Sequence, residues 1–294
     1  MNVLPHYENV NHYTTDVVTV PDEDRFIFMY HMFTGRWTVW NISLFLDGAE
    51  DMAEKGGSFM DATSLKPDNS SYVLIKQVIR INPEIYKFHF LSDASFKITR
   101  KLCEPGRTTN NTVTKMFDIK SGNLLVERCA KIGLIDNVTR KPVPHPDWFV
   151  KKYSHLYGSE SPPELLRQTI PDPTKNCFQW RTIVRFSDMD SNFHANQSVY
   201  VKFCFDCSTT ASLSGNLAHF TGDINSYPLL DISIDYLGES FAGDELIIVM
   251  WQDHKDVSKL SFSIYKTKDK KQLTYVLCHL GLDQLKVWDP VSKF

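Results

Sequence analysis

The sequence predicts an α+β fold built from two copies of one unit, and an internal repeat is the main reason. Asn41-Ile42-Ser43-Leu44-Phe45 aligns with Asn196-Gln197-Ser198-Val199-Tyr200, and residues 129–134 align with 277–282 at a nearly equal offset. Two matches in the same order are typical of a duplicated unit. We expect each copy to have a helix near its start and a last strand that ends in Gly-Leu.

The second copy contains the clearest local patterns. From Gln197 onward, apolar residues recur every three or four positions, which is the period of a largely buried helix. Further on, a strand-like run ends near Gly238, which marks an irregularity, and Gly243 opens a second strand. The sequence therefore predicts a helix followed by strands, with Glu239 and Ser240 held at the break between two of them.

A long segment rich in proline separates the two copies. Proline removes a backbone donor and disfavours regular structure, so we interpret residues 141–176 as a connector. It would join an N-terminal domain at 1–140 to a C-terminal domain at 177–294. Aromatic residues inside the connector, including Phe149 and Tyr153, indicate that part of it packs on the body of the protein.

Composition and charge exclude several classes of protein. At 294 residues, with 42% hydrophobic and 23% charged residues, the chain is long enough for two globular domains. A net charge of −3 and the lack of a basic patch argue against a nucleic-acid partner. The short cluster of Lys268, Lys270 and Lys271 is interpreted as the tip of a hairpin, with contact to an acidic carrier as the alternative.

Cysteine and targeting patterns indicate a reducing compartment. The six cysteines do not provide two paired Cys-x-x-Cys motifs, and Cys204, Cys207 and Cys278 lie in apolar runs where buried thiols are common. The sequence shows no secretory signal, and no apolar run is long enough to span a bilayer. We therefore expect a cytoplasmic protein without a membrane span.

The strongest functional signal is a polar cluster directly before the predicted helix. Asp190, Asn192, His194 and Asn196 alternate with other residues, so in an extended segment their side chains point to one side. Such a concentration of acid, amide and imidazole groups is typical of active sites. Asn196 is expected to cap the helix, whose first N–H groups favour negative charge.

These groups together can support acyl transfer. A carboxylate can act as nucleophile or orient a water, while hydrogen-bond donors hold the oxyanion that develops on a carbonyl. The alternative is an ordinary turn, because Asp, Asn and Ser are frequent in turns for local reasons alone. Similarly, Glu239 is either aimed into a cleft or a solvated charge beside a bulge.

The two motifs together resemble the catalytic half of the acyl-ACP thioesterases of plants and bacteria. The residues that carry the resemblance are Asp190, Asn192, His194, Asn196 and Tyr200, followed by Tyr236, Glu239, Ser240, Gly243 and Asp244. Members of that family are double hotdog enzymes that hydrolyse fatty acyl thioesters. The resemblance implies a tandem hotdog fold, in which two antiparallel sheets each wrap a central helix. Because the first motif is also similar to acyl-CoA thioesterases of the wider hotdog superfamily, the choice between ACP and CoA stays open.

The resemblance also implies roles for individual residues. Asp190, Asn192, His194 and Glu239 match the catalytic positions, and Ser240 replaces a cysteine once regarded as the nucleophile of the family. A thiol mechanism is thereby disfavoured. Either Asp190 or Glu239 is then the base or nucleophile, and His194 and Asn192 orient the water or the carboxylate. The residues expected to bind substrate or the oxyanion are Asn196, Val199, Tyr200 and Ser240.

The first copy lacks the reactive groups. At the offset that pairs Asn41 with Asn196, the reactive positions fall on Gly35, Trp37 and Val39. This copy thus keeps the predicted cap and is better suited to enclosing an acyl chain, although aromatic residues more often simply pack in a core. The expected acyl-pocket residues are Trp37, Trp40 and Phe45.

Two other functions fit parts of the sequence. A hydratase or dehydratase of the same fold also has an Asp and a His before the helix, but with the pattern Asp-x-Asn-Pro-x-x-His, whereas Asn192-Phe193-His194 stands here. A non-catalytic acyl-binding protein would have no need of the four predicted catalytic residues. Thioester hydrolysis requires no cofactor, and His194 has no partner at the spacing of a zinc site. We expect an acyl thioester as the substrate, and acyl carrier protein as a partner if ACP is the carrier. The expected assembly is a monomer or a homodimer.

Overall fold

The structure is a computed structural model that describes residues 6–8, 14–19, 36–56, 69–88, 96–156, 162, 165, 172–173, 176–190 and 192–285. It divides into two compact units. The first comprises Met1–Phe26, Leu44–Asn82 and Leu91–Arg167, and the second comprises Ile27–Ser43, Pro83–Phe90 and Gln168–Phe294. Compact units and sequence domains need not coincide, so the domain boundaries at residues 140 and 176 stay a prediction.

The described part of the first unit is an antiparallel arrangement of strands with two helices. The strands are β1 (His6–Glu8), β2 (Thr14–Thr19), β3 (Ser70–Ile81), β4 (Phe96–Pro105), β5 (Thr109–Asp118) and β6 (Leu124–Asp136). The helices are α1 (Val39–Gly56), whose first turn clusters with the second unit, and α2 (Asp147–Lys152). The strands are adjacent in the order β1-β2-β4-β5-β6-β3, and each neighbouring pair is antiparallel.

The second unit is also antiparallel and contains one long helix. Its elements are β7 (Phe178–Ile183), α3 (Gln197–Leu213), β8 (Leu229–Tyr236), β9 (Glu245–Gln252), β10 (Lys259–Lys266) and β11 (Gln272–Leu280). Short 3-10 turns lie at Pro83–Lys87, Phe186–Asp188 and Ile224–Ser226. The strand order is β7-β9-β10-β11-β8, again with antiparallel neighbours. The predicted α+β class with antiparallel strands is confirmed.

The two units repeat one topology. The order β2-β4-β5-β6-β3 corresponds to β7-β9-β10-β11-β8, and the long helix in each case lies in the chain between the first of these strands and the last. In both units the last strand in the chain therefore returns to pair with the strand that follows the helix. This agreement supports the repeat that the sequence indicates.

The repeated glycines lie where two chain segments approach closely. A Cβ atom on Gly133 would lie 2.7 Å from Ile75 Cδ1, and one on Gly281 would lie 2.6 Å from Pro228 Cγ. Strand β11 ends immediately before Gly281, whereas β6 continues beyond Gly133 to Asp136. The prediction of a strand that ends in Gly-Leu is thus slightly out of place in the second unit, where Gly281-Leu282 directly follows β11, and wrong in the first.

Helix α3 is the core element of the second unit. Its buried residues lie on more than one face, as the sequence period predicts, and the helix packs against β7 and β9. Phe203 and Phe205 are both buried. Truncation of such a ring to alanine typically costs about 3–5 kcal/mol of stability, because apolar contacts are lost and a cavity remains.

In the first unit, α1 contacts the strands through an ion pair and an aromatic contact. Arg128 on β6 donates to Asp47, and the Arg128 side chain is almost fully buried. Phe45 meets Phe96 on β4 edge to face, with ring centroids 6.2 Å apart. No helix in the described part of the chain is both long enough and apolar enough to cross a membrane.

Part of the predicted connector packs against the first unit. Phe149 of α2 and the following Tyr153 are fully buried and form an apolar cluster with Leu102 and Leu156. This confirms that the connector is partly ordered on the body of the protein. The cluster also buries His145, whose ring centroid lies 4.8 Å from that of Phe149.

We expect His145 to make stability depend on pH. Burial lowers the pKa of its imidazole, and a contact with the backbone of Thr109 opposes this only in part. The unfolded chain, with an ordinary histidine pKa of about 6.5, therefore binds a proton more readily than the folded one. The free energy of unfolding should fall as the pH drops below about 6.5.

Urea unfolding of the wild type and His145→Phe, from about pH 5 to about pH 8, checks this expectation. The variant should lose part of the decline at low pH, while His254→Phe, which changes an exposed histidine, should keep all of it. An unchanged slope in His145→Phe would contradict the assignment.

Candidate active site

The polar motif forms a tight turn that backbone hydrogen bonds close. Met189 and Ala195 form an isolated antiparallel bridge. Inside it, Asp190 donates its N–H to His194 O at 2.9 Å, and Phe193 donates to Asp190 O at 3.1 Å. Phe193 adopts the left-handed conformation, with a φ of 61°. These hydrogen bonds close the chain into a turn, the alternative conformation that the sequence allows, so the one-sided projection expected for an extended segment does not apply.

The turn brings Asp190 and His194 together. His194 Nδ1 lies 3.3 Å from Asp190 Oδ2, and both side chains are partly exposed. The other carboxylate oxygen, Oδ1, accepts the N–H of Asn192 at 2.8 Å. Asp190 is thus held at one oxygen by the backbone and faces the imidazole with the other.

Glu239 reaches the same imidazole from the break between β8 and β9. Its Oε1 lies 3.9 Å from His194 Nε2, and its side chain is 30% exposed. The break is shaped by Leu237 and Gly238, which both donate to Leu273 O, at 2.8 Å and 3.1 Å. The two predicted carboxylates therefore lie on opposite sides of the predicted histidine.

Gly238 fits a crowded position in this break. A Cβ atom there would lie 3.2 Å from Leu273 Cδ2 and 3.2 Å from Lys271 Cε. Any side chain would push against the lysine stem and the strand beside it. This crowding agrees with the sequence interpretation of Gly238 as the mark of an irregularity.

Ser240 ties the break to the turn and to α3. Ala195 donates its N–H to Ser240 O at 2.8 Å. The Tyr200 hydroxyl lies 2.9 Å from Ser240 Oγ and accepts the N–H of Ser240 at 3.1 Å. Burial raises the pKa of Tyr200 to about 12, and the two hydrogen bonds with Ser240 oppose this only in part. Ser240 is fully buried, and its expected contact with substrate stays a prediction.

Asn196 caps the start of α3 as predicted, and the first N–H groups of the helix donate to it. Asn196 Oδ1 accepts from the N–H of Ser198 at 2.9 Å and from its hydroxyl at 2.7 Å. Asn196 N–H donates to Asp188 O at 2.8 Å, and Val199 N–H donates to Asn196 O at 3.0 Å. The expectation that Asn196 and Val199 bind the oxyanion stays a prediction, and the backbone N–H groups of both residues already have acceptors in this structure.

One structural residue of the site was missed by the sequence interpretation. Asp188 is buried, its carboxylate accepts the N–H of Arg185 at 2.8 Å, and its carbonyl receives the N–H of Asn196. It therefore fixes both the entry to the turn and the start of α3. The only signal in the sequence is an aspartate three residues after Arg185, a spacing that is common in turns.

The remaining predicted residues lie at different depths. Asn192 is exposed at the turn, and Val199 is half-buried. Trp37 is buried, Trp40 meets Phe205 edge to face at 6.1 Å, and Phe45 meets Phe96. These contacts are packing contacts, and a role for the three aromatic residues in an acyl pocket stays a prediction.

The predicted cap of the first copy is corrected by the structure. Asn41 lies inside α1, and its N–H donates to Thr38 Oγ1 at 3.3 Å. Thr38 O also accepts the N–H of Ile42 at 2.9 Å. Thr38, directly before the helix, is thus the capping residue, and the alignment of Asn41 with Asn196 does not extend to their roles.

Neither a thiol nor a metal centre is found at this site. All six cysteines lie among the described residues and are free thiols, and burial raises the pKa of Cys204 and Cys207, the two on α3. In the described ranges, no group of three or more histidine, cysteine or carboxylate side chains is placed to hold a metal ion.

Comparison with known proteins relates these features to one family. Residues 172–276 match the family model described as acyl-ACP thioesterase C-terminal domain. No curated protein matches the sequence significantly. The fold is similar to that of an acyl-ACP thioesterase from Bacteroides thetaiotaomicron VPI-5482, with 18% identity, a TM-score of 0.66, and coverage of 91% of this chain and 98% of that chain.

A second similar structure is the 12:0-ACP thioesterase from Umbellularia californica. The identity is 11%, the TM-score is 0.70, and the comparison covers 93% of this chain and 99% of that chain. At these identities the likeness concerns the fold. The predicted resemblance to acyl-ACP thioesterases is therefore confirmed, by sequence in residues 172–276 and by fold over most of the chain.

Proposed function

We propose that the chain is a tandem hotdog thioesterase that hydrolyses an acyl thioester of ACP or CoA to a free acid and a thiol. The observation that carries the proposal is the position of His194 between two carboxylates, 3.3 Å from Asp190 and 3.9 Å from Glu239. The repeated strand order and the family match of residues 172–276 support the same function.

In this proposal Asp190 positions the histidine. One carboxylate oxygen is held by the N–H of Asn192, and the other faces His194 Nδ1. A carboxylate at Nδ1 favours the tautomer with the proton on that nitrogen. His194 Nε2 then presents a lone pair toward Glu239.

Glu239 is the proposed general base. A water between His194 Nε2 and Glu239 gives up a proton to the carboxylate while its oxygen attacks the thioester carbonyl carbon. The tetrahedral intermediate collapses by breaking the C–S bond, and the leaving thiolate takes the proton back from Glu239. The separation of 3.9 Å is longer than a direct hydrogen bond, and a water that lies beside the two atoms can reach both.

The exposed side-chain amide of Asn192 is the proposed oxyanion donor. It lies on the same turn as Asp190 and His194 and is not used to hold that turn, which Asn192 supports through its backbone N–H. The positive end of α3 adds a favourable field for the developing charge. Asn192 thereby replaces the engaged N–H groups at the start of that helix.

The carboxylate assignment leads to a test by matched substitutions. Glu239→Gln keeps the shape of the side chain and removes the base, so kcat should fall by about 10²–10⁴ while KM changes little. Asp190→Asn should also lower kcat, because it disturbs the histidine. The measurement is release of free thiol from acyl-CoA and acyl-ACP.

Glu245→Gln is the control, since Glu245 is an exposed acid at the start of β9. It should hydrolyse acyl-CoA at the wild-type rate. Wild-type turnover in Glu239→Gln would remove Glu239 from the mechanism. If the folded wild type hydrolyses no thioester, a non-catalytic acyl-binding role becomes the better interpretation.

The mechanism also predicts that hydrolysis is insensitive to thiol alkylation. No cysteine stands at the position of Ser240, and the thiols of α3 are buried with raised pKa values. Iodoacetamide should leave the initial rate unchanged under native conditions. Inactivation that follows the labelling of one cysteine would instead indicate a thiol mechanism.

Tyr200 is predicted to position Glu239 through Ser240. Tyr200→Phe leaves the buried N–H of Ser240 without its acceptor, which should lower the free energy of unfolding by about 1–3 kcal/mol. It should also lower kcat, because the break carrying Glu239 is less well fixed. Ser240→Ala keeps that N–H bond and should have smaller effects on urea unfolding and on kcat. Equal effects of both variants would contradict this assignment.

A further inference from the structure

The segments around the candidate site expose an unusual number of large apolar side chains. We name these residues the apolar rim: Ile183, Phe186, Phe193, Leu237 and Phe241. Phe186 is 89% exposed and Phe193 is 80% exposed. Since burial of a phenylalanine is worth about 1.5–3 kcal/mol, a cluster of exposed ones commonly marks an interaction surface.

Backbone contacts place the rim residues around the two carboxylates. Phe193 directly precedes His194, and Leu237 and Phe241 flank the segment that carries Glu239. Val184, next to Ile183, donates to Asp244 O at 3.0 Å and accepts the N–H of Gly243 at 2.8 Å. The rim thus comes from three stretches of the second unit that are linked to each other and to the site.

A lysine-rich turn lies beside the rim. The turn between β10 and β11, which we name the lysine hairpin, spans Lys266–Lys271 and is closed by the N–H of Lys270 donating to Lys266 O at 3.0 Å. Lys266 Nζ lies 5.1 Å from the centroid of the Phe241 ring, and Lys271 approaches Gly238. The hairpin therefore borders the rim on the side of Glu239.

Most of the charge on the hairpin is available to a partner. Lys266 is neutralised by Asp244 at 2.7 Å, whereas Lys268, Lys270 and Lys271 are exposed and form no ion pair with a described residue. Asp269 accepts the backbone N–H of Lys271, and this acid offsets one of the three lysines.

Acidic and basic groups also lie at the neighbouring strand ends. Glu245 is exposed at the start of β9, and Arg181 and Arg185 are exposed at the end of β7. Basic groups are therefore in excess at the edge of this surface, whereas Asp190 and Glu239 add negative charge at its centre. A partner that fits combines negative charge with an apolar patch.

We propose that the apolar rim and the lysine hairpin form the docking surface for an acidic carrier protein that delivers the acyl thioester. This inference rests on the proposed function. Any occupant of the rim covers the approach to His194 and Glu239, and a carrier that brings the thioester on an arm can do so productively. A bilayer on the same surface would block that approach, and the nucleotide of CoA is too small to cover all three stretches.

The test compares one acyl group on three carriers: a holo acyl carrier protein, CoA and N-acetylcysteamine. In Lys268→Glu/Lys270→Glu, kcat/KM for the acyl carrier protein should fall by about tenfold at low ionic strength, through KM. Rates on the other two substrates should be unchanged. Lys271 is left intact, because its stem lies against Gly238.

Two further variants complete the test. Phe186→Ser removes an exposed side chain and should lower kcat/KM for the carrier-protein substrate alone. Lys141→Glu/Lys255→Glu makes the same change in net charge at exposed positions outside the hairpin and should have no effect. Lys255 lies at the opposite end of β9 and β10 from the lysine hairpin.

Three results would overturn the proposal. Equal losses on acyl-CoA would assign the lysines to the nucleotide phosphates, and an unchanged rate on the carrier protein would exclude docking there. Binding to anionic vesicles that depends on Phe186, with no effect on the carrier protein, would assign the surface to a membrane.

A failure of thioester hydrolysis is distinguishable from these results. Titration of the wild type and the lysine variant with the holo carrier protein measures docking without turnover. If the wild type binds the carrier protein and the lysine variant does not, the docking surface is supported even when no thioester is hydrolysed. If the wild type neither binds the carrier protein nor hydrolyses a thioester, the docking proposal and the proposed function are both rejected.

Discussion

The N–H of Ala195 donates to the carbonyl of Ser240, and this bond joins two segments that have no catalytic arrangement separately. The turn before α3 supplies Asp190 and His194, while the break after β8 supplies Glu239. Because Ser240 directly follows Glu239 and Ala195 directly follows His194, the bond fixes the backbones next to both proposed catalytic side chains. Tyr200 adds a second connection from α3 to the same serine. The spacing around His194 therefore depends on the packing of α3 against the strands.

This arrangement explains why position 240 accepts serine. The side chain is fully buried against the Tyr200 hydroxyl, where a small polar group makes a hydrogen bond. The reactive groups lie on the more exposed side of the same backbone. In the proposed mechanism the chemistry is carried by Glu239, and the neighbouring residue serves to hold it in place.

The sequence predicted the elements of the site better than their local geometry. The helix from Gln197, its cap at Asn196 and the break with Glu239 follow from strong local signals: apolar periodicity, a capping side chain and glycines beside strands. The conformation of the turn was not predictable in the same way. Alternation in the sequence indicated an extended chain, but backbone hydrogen bonds across the turn outweigh that pattern.

The sequence also does not show which backbone N–H groups already have an acceptor in the folded protein. The N–H groups of Asn196 and Val199 looked available from their position at a helix start, but Asp188 and the cap itself engage them. For the same reason the alignment of Asn41 with Asn196 misplaced the cap of α1, since Thr38 takes that role. The two copies therefore share the order of their strands, but equivalent N–H groups in the two copies do not donate to equivalent acceptors.

The turn couples the catalytic geometry to the surface around it. The hydrogen bonds that bring His194 back to Asp190 require a left-handed residue at position 193, where glycine or asparagine is easier to accommodate than phenylalanine. Phe193 is strained in backbone and exposed in side chain, so neither folding preference nor core packing accounts for the ring. The proposed contact with a carrier protein accounts for it, because Phe193 belongs to the same turn as His194. The catalytic turn and the proposed docking surface are in this sense one structural feature.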